Sequence, residues 1–554
     1  MSRMRAALRK SSVLVGVLAL VVPPLLVVFA SPASAATVTV CASGCDYTSI
    51  TAAVAGETYP VTINVYPDTY NESVDLFKPG GGDITLNTVN AGGTPTPGTV
   101  TVNGGATGPA FYTSSTHSGN ITINGFIANS DDDDGVDLEV NSDIVIRNVT
   151  ASNTGSDGID VEAGGDVTIS DCTANDNDSD GILVSDVGGG VTLTDCTASD
   201  NYDENFDIGP VTGNLEIKRC TANGSEDDEG IDIDEVGGSV TITDSTTNNN
   251  EDEGIEIDYV GMAGSDESAA GGDDLEDPEP DDDDDRDTHT RTSVNPTANG
   301  GDVTIKNCTT NANGEPTEDD DGIKISWVEG KVTISSCIAR DNLDDGIDLS
   351  DLEEADSILV NGNIICGNAL DGLELDIEGV ITVAATSADA TGNWWGCAAG
   401  PADAACDSVN EISGTVDYTL WINTISASAS VDPATVGSPT NITFQFSGGP
   451  PPVYLGEGPG DLHGDPTFDV STDNGTVASS GFIGDAQGTL EVTLTPAHTG
   501  TATVWVDGPC GLDKSIVLGV VAAQEFVPEP GTVLLLGSGL MGLAGYAALR
   551  LRKR

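Results

Sequence analysis

The chain of 554 residues repeats itself through its centre with a short period. A turn of the type Asp-Gly-Ile recurs at Gly135, Gly158, Gly181, Asn205, Gly230, Gly254, Gly322, Gly346 and Gly372, in steps of 23, 23, 24, 25, 24, 68, 24 and 26 residues. Each unit reads as an alternating strand, a glycine turn, a second alternating strand and a polar turn. Gly158-Ile159-Asp160-Val161, then Gly164-Gly165-Asp166-Val167-Thr168-Ile169, then Cys172 is one example. Alternation with period two places one face inside, and no unit carries a helical period. About 24 residues are too few for the common helix-containing solenoids but suffice for one three-sided coil of parallel strands. Hydrophobic residues make up 38% of the chain, and a thin repeat architecture uses them economically.

The 68-residue step is one coil carrying an insertion. Of its 44 extra residues about 39 lie between Gly261 and Gly301, and five lengthen the turn before Gly322. The inserted stretch, about 262–300 with Asp281 to Asp285 at its centre, is too acidic and too poor in apolar residues to fold alone, so it reads as a solvated loop. Gly254 and Gly322 are therefore expected on neighbouring coils.

This pattern resembles the right-handed parallel β-helix of the pectin-lyase-like superfamily, with PbH1-type repeats. Tyr47 to Ile50 with Ile63 to Tyr70 looks like its opening coils. Asn393-Trp394-Trp395-Gly396, Gly400-Pro401, and Val416 to Tyr418 with Trp421 look like a closing segment. The resemblance spans residues 36–424 and implies an all-β solenoid. It leaves activity open, because this fold hosts lyases, hydrolases, esterases, epimerases and adhesins.

Nine positions before the turn stand Phe126, Val149, Cys172, Cys196, Ser245, Cys337 and Asn363, with Cys220 and Cys308 offset by longer turns. Phe, Val and Ser at equivalent positions mark Cys172, Cys196 and Cys220 as an interior packing ladder rather than reactive thiols. Cys41 with Cys45 and Cys397 with Cys406 are disulfide candidates, being short-range and near the ends of the helix in an exported chain. Cys510 has no obvious partner.

Ninety acidic residues face 19 basic ones, a formal charge of −71. That excludes a nucleic-acid binder and argues against electrostatic attachment to an anionic membrane. The repeat phasing places one residue after each Gly-Ile pair on the outside: Asp137, Asp160, Leu183, Asp207, Asp232, Glu256, Lys324, Asp348 and Glu374. More acids stand just before the turns, among them Asp131 and Asp133, Asp176, Asp178 and Asp180, and Asp319 and Asp321. Two unit charges at the inter-strand spacing repel by roughly 0.9 kcal/mol even in water. Carboxylates crowded in this way are what Ca²⁺ accepts, with six to eight oxygen ligands. The expectation is a Ca²⁺-stabilised acidic edge built from Asp131, Asp133, Asp137, Asp160, Asp176, Asp178, Asp180, Asp207, Asp232, Glu256, Asp319, Asp321 and Asp348. Asp176 to Gly181 opens like a calcium loop, but Val187 stands where an EF-hand has Glu. A solvated charge run with diffuse counter-ions is the alternative.

Catalytic signals are few. Polysaccharide lyases of this fold use Ca²⁺ with an Arg or Lys base, and pectin hydrolases use clustered Asp with downstream His and Arg-x-Lys elements. Here His117 and His289 are isolated, and no His-Gly or Asp-Pro-His motif appears. Lys324 alone replaces an acid by a base in the outward column. A lyase reading would make Lys324 the base, with Asp319 to Asp321 and Asp348 holding Ca²⁺. A structural reading makes it a charge-relieving rung. The favoured function is a non-enzymatic, adhesin-like surface or matrix protein that binds cations and, through them, exopolysaccharide or a cell-surface glycan. A Ca²⁺-dependent polysaccharide lyase or other carbohydrate-active enzyme is the alternative.

Residues 425–525 change character, with Thr, Val, Gly and Pro replacing the acid clusters. Ile442 to Phe446, Leu490 to Leu494 and Thr501 to Val506 alternate, and the segment resembles bacterial immunoglobulin-like β-sandwiches, a spacer or adhesive module. At the amino end, Arg3, Arg5, Arg9 and Lys10 precede an apolar run closed by Ala33-Ser34-Ala35, so residues 1–35 read as a signal peptide for signal peptidase. Residues 526–554 carry Val527-Pro528-Glu529-Pro530, an uncharged stretch from Thr532 to Leu549 and a basic tail. This trio resembles the PEP-CTERM sorting signal. The resemblance implies a transmembrane helix that holds the chain at the inner membrane of a Gram-negative bacterium until an exosortase cleaves it. Loss of both ends removes eight basic residues and Glu529, leaving 11 basic against 89 acidic residues, about −78.

Overall fold

A computed structural model describes residues 35–523, apart from 91, 106–107, 262–300, 316–319, 351, 353–354, 356, 377–386, 413, 420, 448–468 and 484–488. The signal peptide, the acidic insertion, Asp319 and the sorting signal with Pro528, Glu529 and Pro530 lie outside the described residues. Three parallel sheets wind together. The first has 14 strands, from Ala36–Val40 to Thr415–Asp417; the second has 12, from Thr69–Asn71 to Trp394–Trp395; the third has 12, from Val74–Asp75 to Val409–Glu411. A coil contributes one strand to each, as Val167–Ser170, Thr173–Asn175 and Ile182–Ser185 do.

The alternating pattern sets the register. Ile146, Ile169, Leu193, Ile217 and Ile242 are Cα partners down the first sheet, and all are fully buried. Each such side chain contributes about 1.5–3 kcal/mol by leaving water. One interior column therefore holds each coil on the next. Cys172, Cys196 and Cys220 lie inside with 1% exposure each, so the interior ladder forms as packing, with free thiols. Across the insertion Ile255 pairs with Ile323 and Glu256 with Lys324, so the stack continues without a break.

Many aspartates have a backbone role that the alternating pattern does not reveal. The corner after the first strand is left-handed at Asn148, Asp171, Asp195, Arg219, Asp244, Asn307 and Ser336, with φ between 51° and 61°. The corner after the second strand is left-handed at Asp176, Asp200, Asn249, Ala312 and Asp341, and at Gly224 and Gly367. Asn and Asp tolerate this conformation because their short polar side chains hydrogen-bond locally. Part of the acidity is thus turn chemistry.

A short helix, Ile50–Gly56, closes the first coil. Ser49 caps it by accepting from the Ala52 N–H, and Ile50, Ala53 and Val54 are buried. Its seven residues are too few to show a helical period against the alternating strands around them.

Beyond the solenoid, two four-stranded sheets share one buried cluster. One contains Thr440–Ser447 and Thr489–Thr495; the other contains Gly500–Asp507 and Lys514–Val521. Phe444, Val492, Val504 and Leu518 lie between them. The same cluster includes Ile338, Ile364, Cys366 and Trp394 of the β-helix. The outward column of the second sheet explains why: Thr150, Thr173, Thr197, Thr221, Thr246 and Thr309 give way to Ile338, Ile364 and Trp394. The terminal coils are apolar outside because the second unit covers them.

Cys41 pairs with Cys45 and Cys397 with Cys406, with Cα separations of 5.6 and 5.2 Å. Cys510 does have a partner. It bonds to Cys366 over a Cα separation of 6.2 Å, and Trp394 Nε1 donates to the Cys510 carbonyl at 3.2 Å. A sequence separation of 144 conceals this pair from local spacing. Among the described residues no helix is long and apolar enough to cross a membrane. The expected span, Thr532 to Leu549, lies outside them.

Candidate cation-binding face

The third sheet carries the acids. From Val136 onward the second residue after each of the repeated turns faces out. Down the sheet, Asp137 pairs with Asp160, Asp160 with Leu183, Leu183 with Asp207 and Asp207 with Asp232. After Glu256 the column continues as Lys324, Asp348 and Glu374. These groups face outward yet are half-buried, because each rung is crowded by the rungs on either side.

Directly before the turn glycine stands a second, deeper column that includes Asp134, Asp157, Asp180, Glu204, Glu229, Glu253, Asp321, Asp345 and Asp371. In two stretches of this column the amide of one coil reaches back to the carboxylate of the coil before. Asp157 N donates to Asp134 Oδ1 and Asp180 N to Asp157 Oδ1, both at 3.0 Å. Asp345 N donates to Asp321 Oδ1 at 2.9 Å and Asp371 N to Asp345 Oδ1 at 2.6 Å. Asp134, Asp157, Asp180, Glu253, Asp321 and Asp345 are buried. This inner column was hidden in sequence because its members belong to longer acidic runs, and only the register separates them from exposed neighbours such as Asp131 and Asp132.

Burial and mutual repulsion raise the carboxyl pKa values. Burial, then the carboxylates of Asp157, Asp134, Asp137 and Glu162, takes Asp160 to about 8. Burial and then Glu204 take Asp207 to about 7. Asp134 and Asp137 rise to about 6, and Asp345 to about 8, in each case chiefly through burial. Asp232 and Asp321 are pushed well above the ordinary carboxylate range, again mainly by burial. A face of this kind holds protons or cations near neutral pH, since desolvated like charges are not all ionised together.

Three groups bring one ligand oxygen from each of three residues within 4.8 Å of one another: Glu229, Asp252 and Glu253; Asp321, Asp344 and Asp345; Asp345, Asp371 and Glu374. Of the residues expected as ligands only Asp321 is among them. Asp160, Asp207, Asp232, Glu256 and Asp348 share the outward column with Asp137. Asp131, Asp176 and Asp178 are exposed, and Asp133, beside Asp131, is half-buried. The calcium-loop-like segment divides among three tasks: Asp176 forms a left-handed corner, Asn177 accepts from Thr154 N and Oγ1, and Asp180 joins the inner column. The donor set fits a hard divalent cation. It is all oxygen. Outside the three groups, Oδ1 of both Asp180 and Asp348 is buried without a hydrogen-bond donor.

Lys324 sits between two acids, with Nζ 2.7 Å from Glu253 Oε1 and 2.8 Å from Glu256 Oε1. Burial alone would lower its pKa, but the two carboxylates outweigh that and raise it above the ordinary lysine value. Two residues beyond Lys324, Ser326 pairs with Ser350 between two further acids: Ser326 Oγ donates to Asp258 Oδ1, and Ser350 pairs with Asp376. Tyr259 stacks on Trp327 at the following corner with ring centroids 6.0 Å apart.

Residues 111–262 and 292–403 match the family described as the right handed beta helix region. Residues 526–553 match the PEP-CTERM protein-sorting motif. It is a right-handed β-helix protein with a PEP-CTERM export signal. No curated protein matches its sequence. Similar solved structures include the A-module of the mannuronan C-5 epimerase AlgE4 of Azotobacter vinelandii, at 13% identity and TM-score 0.38, covering 66% of this chain and 92% of that one. Pectate lyase Pel9A, at 14% identity and TM-score 0.31, covers 69% and 79%. The alginate lyase of Paenibacillus sp. str. FPU-7, at 10% identity and TM-score 0.28, covers 69% and 99%. Likeness at this level carries no argument about what the β-helix protein does.

Proposed function

We propose that this exported surface protein is a non-enzymatic, adhesin-like β-helix whose acidic face binds Ca²⁺ and, through it, exopolysaccharide or the glycans of neighbouring cells. The observation that carries this reading is the pair of adjacent carboxylate columns, with rungs one coil apart and three groups of converging oxygens. Bound Ca²⁺ would supply the positive charge that the columns lack and bridge them to anionic sugar. The inner-column acids Glu229, Glu253, Asp321, Asp345 and Asp371, with Asp252, Asp344 and Glu374, are the first candidates to hold it. The immunoglobulin-like sandwich acts as a spacer or adhesive module, and the carboxy-terminal helix anchors the chain at the inner membrane until exosortase cleavage.

The pairing of Lys324 with Glu253 and Glu256 supports its role as a charge-relieving rung. A lyase base must be a free amine, and a raised pKa opposes that at neutral pH. An ultraviolet assay for unsaturated uronates, wild type against Lys324→Ala, tests the lyase alternative, and Lys324-dependent product would establish it. Melting the protein at low ionic strength with Ca²⁺ and with EDTA tests the main reading. Ca²⁺ is expected to raise the midpoint by several degrees, since saturation at about 100 times Kd is worth roughly 2.7 kcal/mol. An unchanged midpoint removes specific binding.

A further inference from the structure

The outer face of the sandwich differs from every other described face of the molecule in carrying an exposed tryptophan among hydroxyls. Gly500–Asp507 and Lys514–Val521 are antiparallel neighbours, with Asp469–Thr472 on the other side of the first. Ala502, Val504, Val506, Leu518 and Val520 point into the core. Alternation therefore sends Trp505, Thr503 and Thr501 outward, and Trp505 pairs with Ser471 on one side and Ser515 on the other. Thr503 pairs with Val517 in the next row. Trp505 is 36% exposed and Val517 60%, whereas Trp394 and Trp395 of the β-helix are 7% and 0% exposed.

The geometry points to this face as a binding site for a neutral polysaccharide, with a pyranose ring seated on the Trp505 indole. Three features select that partner. An indole ring offers a flat apolar surface with a polar N–H, which suits the C–H face of a sugar ring. The residues around it, Ser471, Thr503 and Ser515, carry hydroxyls that both donate and accept, as sugar hydroxyls require. The nearest charges are carboxylates: Asp473 Oδ1 accepts from the Thr503 amide at 2.6 Å, and Asp469 pairs with Asp507 in the row next to Trp505, so an anionic sugar is repelled and an uncharged glycan is the one that fits. This site is separate from the acidic face and needs no cation.

The test is affinity electrophoresis of the full exported protein in gels containing hydroxyethyl cellulose or galactomannan, with EDTA throughout. Wild type is expected to be retarded. Trp505→Ala should weaken the apparent affinity roughly tenfold or more, the loss of about 1.4 kcal/mol of stacking, while Trp505→Phe keeps a measurable part. Ser515→Arg, an exposed change beside the ring, should also reduce retardation and keeps the test decisive if Trp505→Ala fails to fold. Failure of wild type to bind either polymer, or equal retardation of Trp505→Ala, overturns the proposal. So does sedimentation showing a dimer that Trp505→Ala dissociates without any change in retardation, because the face is then an interface between copies. With EDTA present, each of these outcomes leaves the Ca²⁺ reading of the acidic face untouched.

Discussion

Single residues on the stack act through what lies one coil above or below. Arg219 occupies a left-handed corner where its predecessor has Asp195, and it clamps that carboxylate through Nε and Nη2, both at 2.6 Å. Lys324 does the same on the third sheet for Glu253, whose side chain is 5% exposed. Removing the ammonium leaves Glu253 facing Glu256 without a counter-charge. Breaking a fully buried pair costs about 3–5 kcal/mol; because Lys324 is one-third exposed, we expect Lys324→Met to lose about 1–3 kcal/mol. Chemical denaturation in EDTA measures it. A loss below about 0.5 kcal/mol would show that Lys324 is not a structural rung.

At the scale of the strand column, the raised carboxyl pKa values become a dependence of stability on pH. Asp134 at about 6, Asp207 and Asp348 at about 7, and Asp160 and Asp345 at about 8 all lie above the ordinary aspartate value of 3.8, mainly through burial. Between about pH 4 and pH 8 the folded state therefore binds more protons than the unfolded chain, and stability falls as pH rises through that window. In EDTA the melting midpoint should be higher at pH 5 than at pH 8. Ca²⁺ bound as proposed would compete with protons for the same oxygens, so its stabilisation should be larger at pH 8. A midpoint in EDTA that climbs from pH 5 to pH 8 would contradict the crowded-column account.

For the whole molecule, the decisive feature is the attachment of the sandwich to the terminal coils. Ile338, Ile364 and Trp394 bury their outer faces against it, and Cys366–Cys510 closes a loop of 144 residues. A cross-link of that span is worth up to about 5 kcal/mol by loop entropy. Cys510→Ser should separate thermal unfolding into two transitions and open the joint to protease, whereas one cooperative transition would mean that the apolar interface alone couples the units. The sequence by itself determined the coil, the alternation, the continuity across residues 262–300 and the outward column from Asp137 to Glu374. Those features repeat at a fixed short spacing, and period-two burial leaves one register. It did not separate acids by task. Asp176, Asp178 and Asp180 lie within five residues, yet one turns the chain, one is exposed and one is buried in the inner column. Only tertiary structure decided which carboxylates converge, that Cys510 meets Cys366, and that Trp505 stands outside the core. Each depends on contacts between coils or units, across sequence separations that a local pattern does not encode.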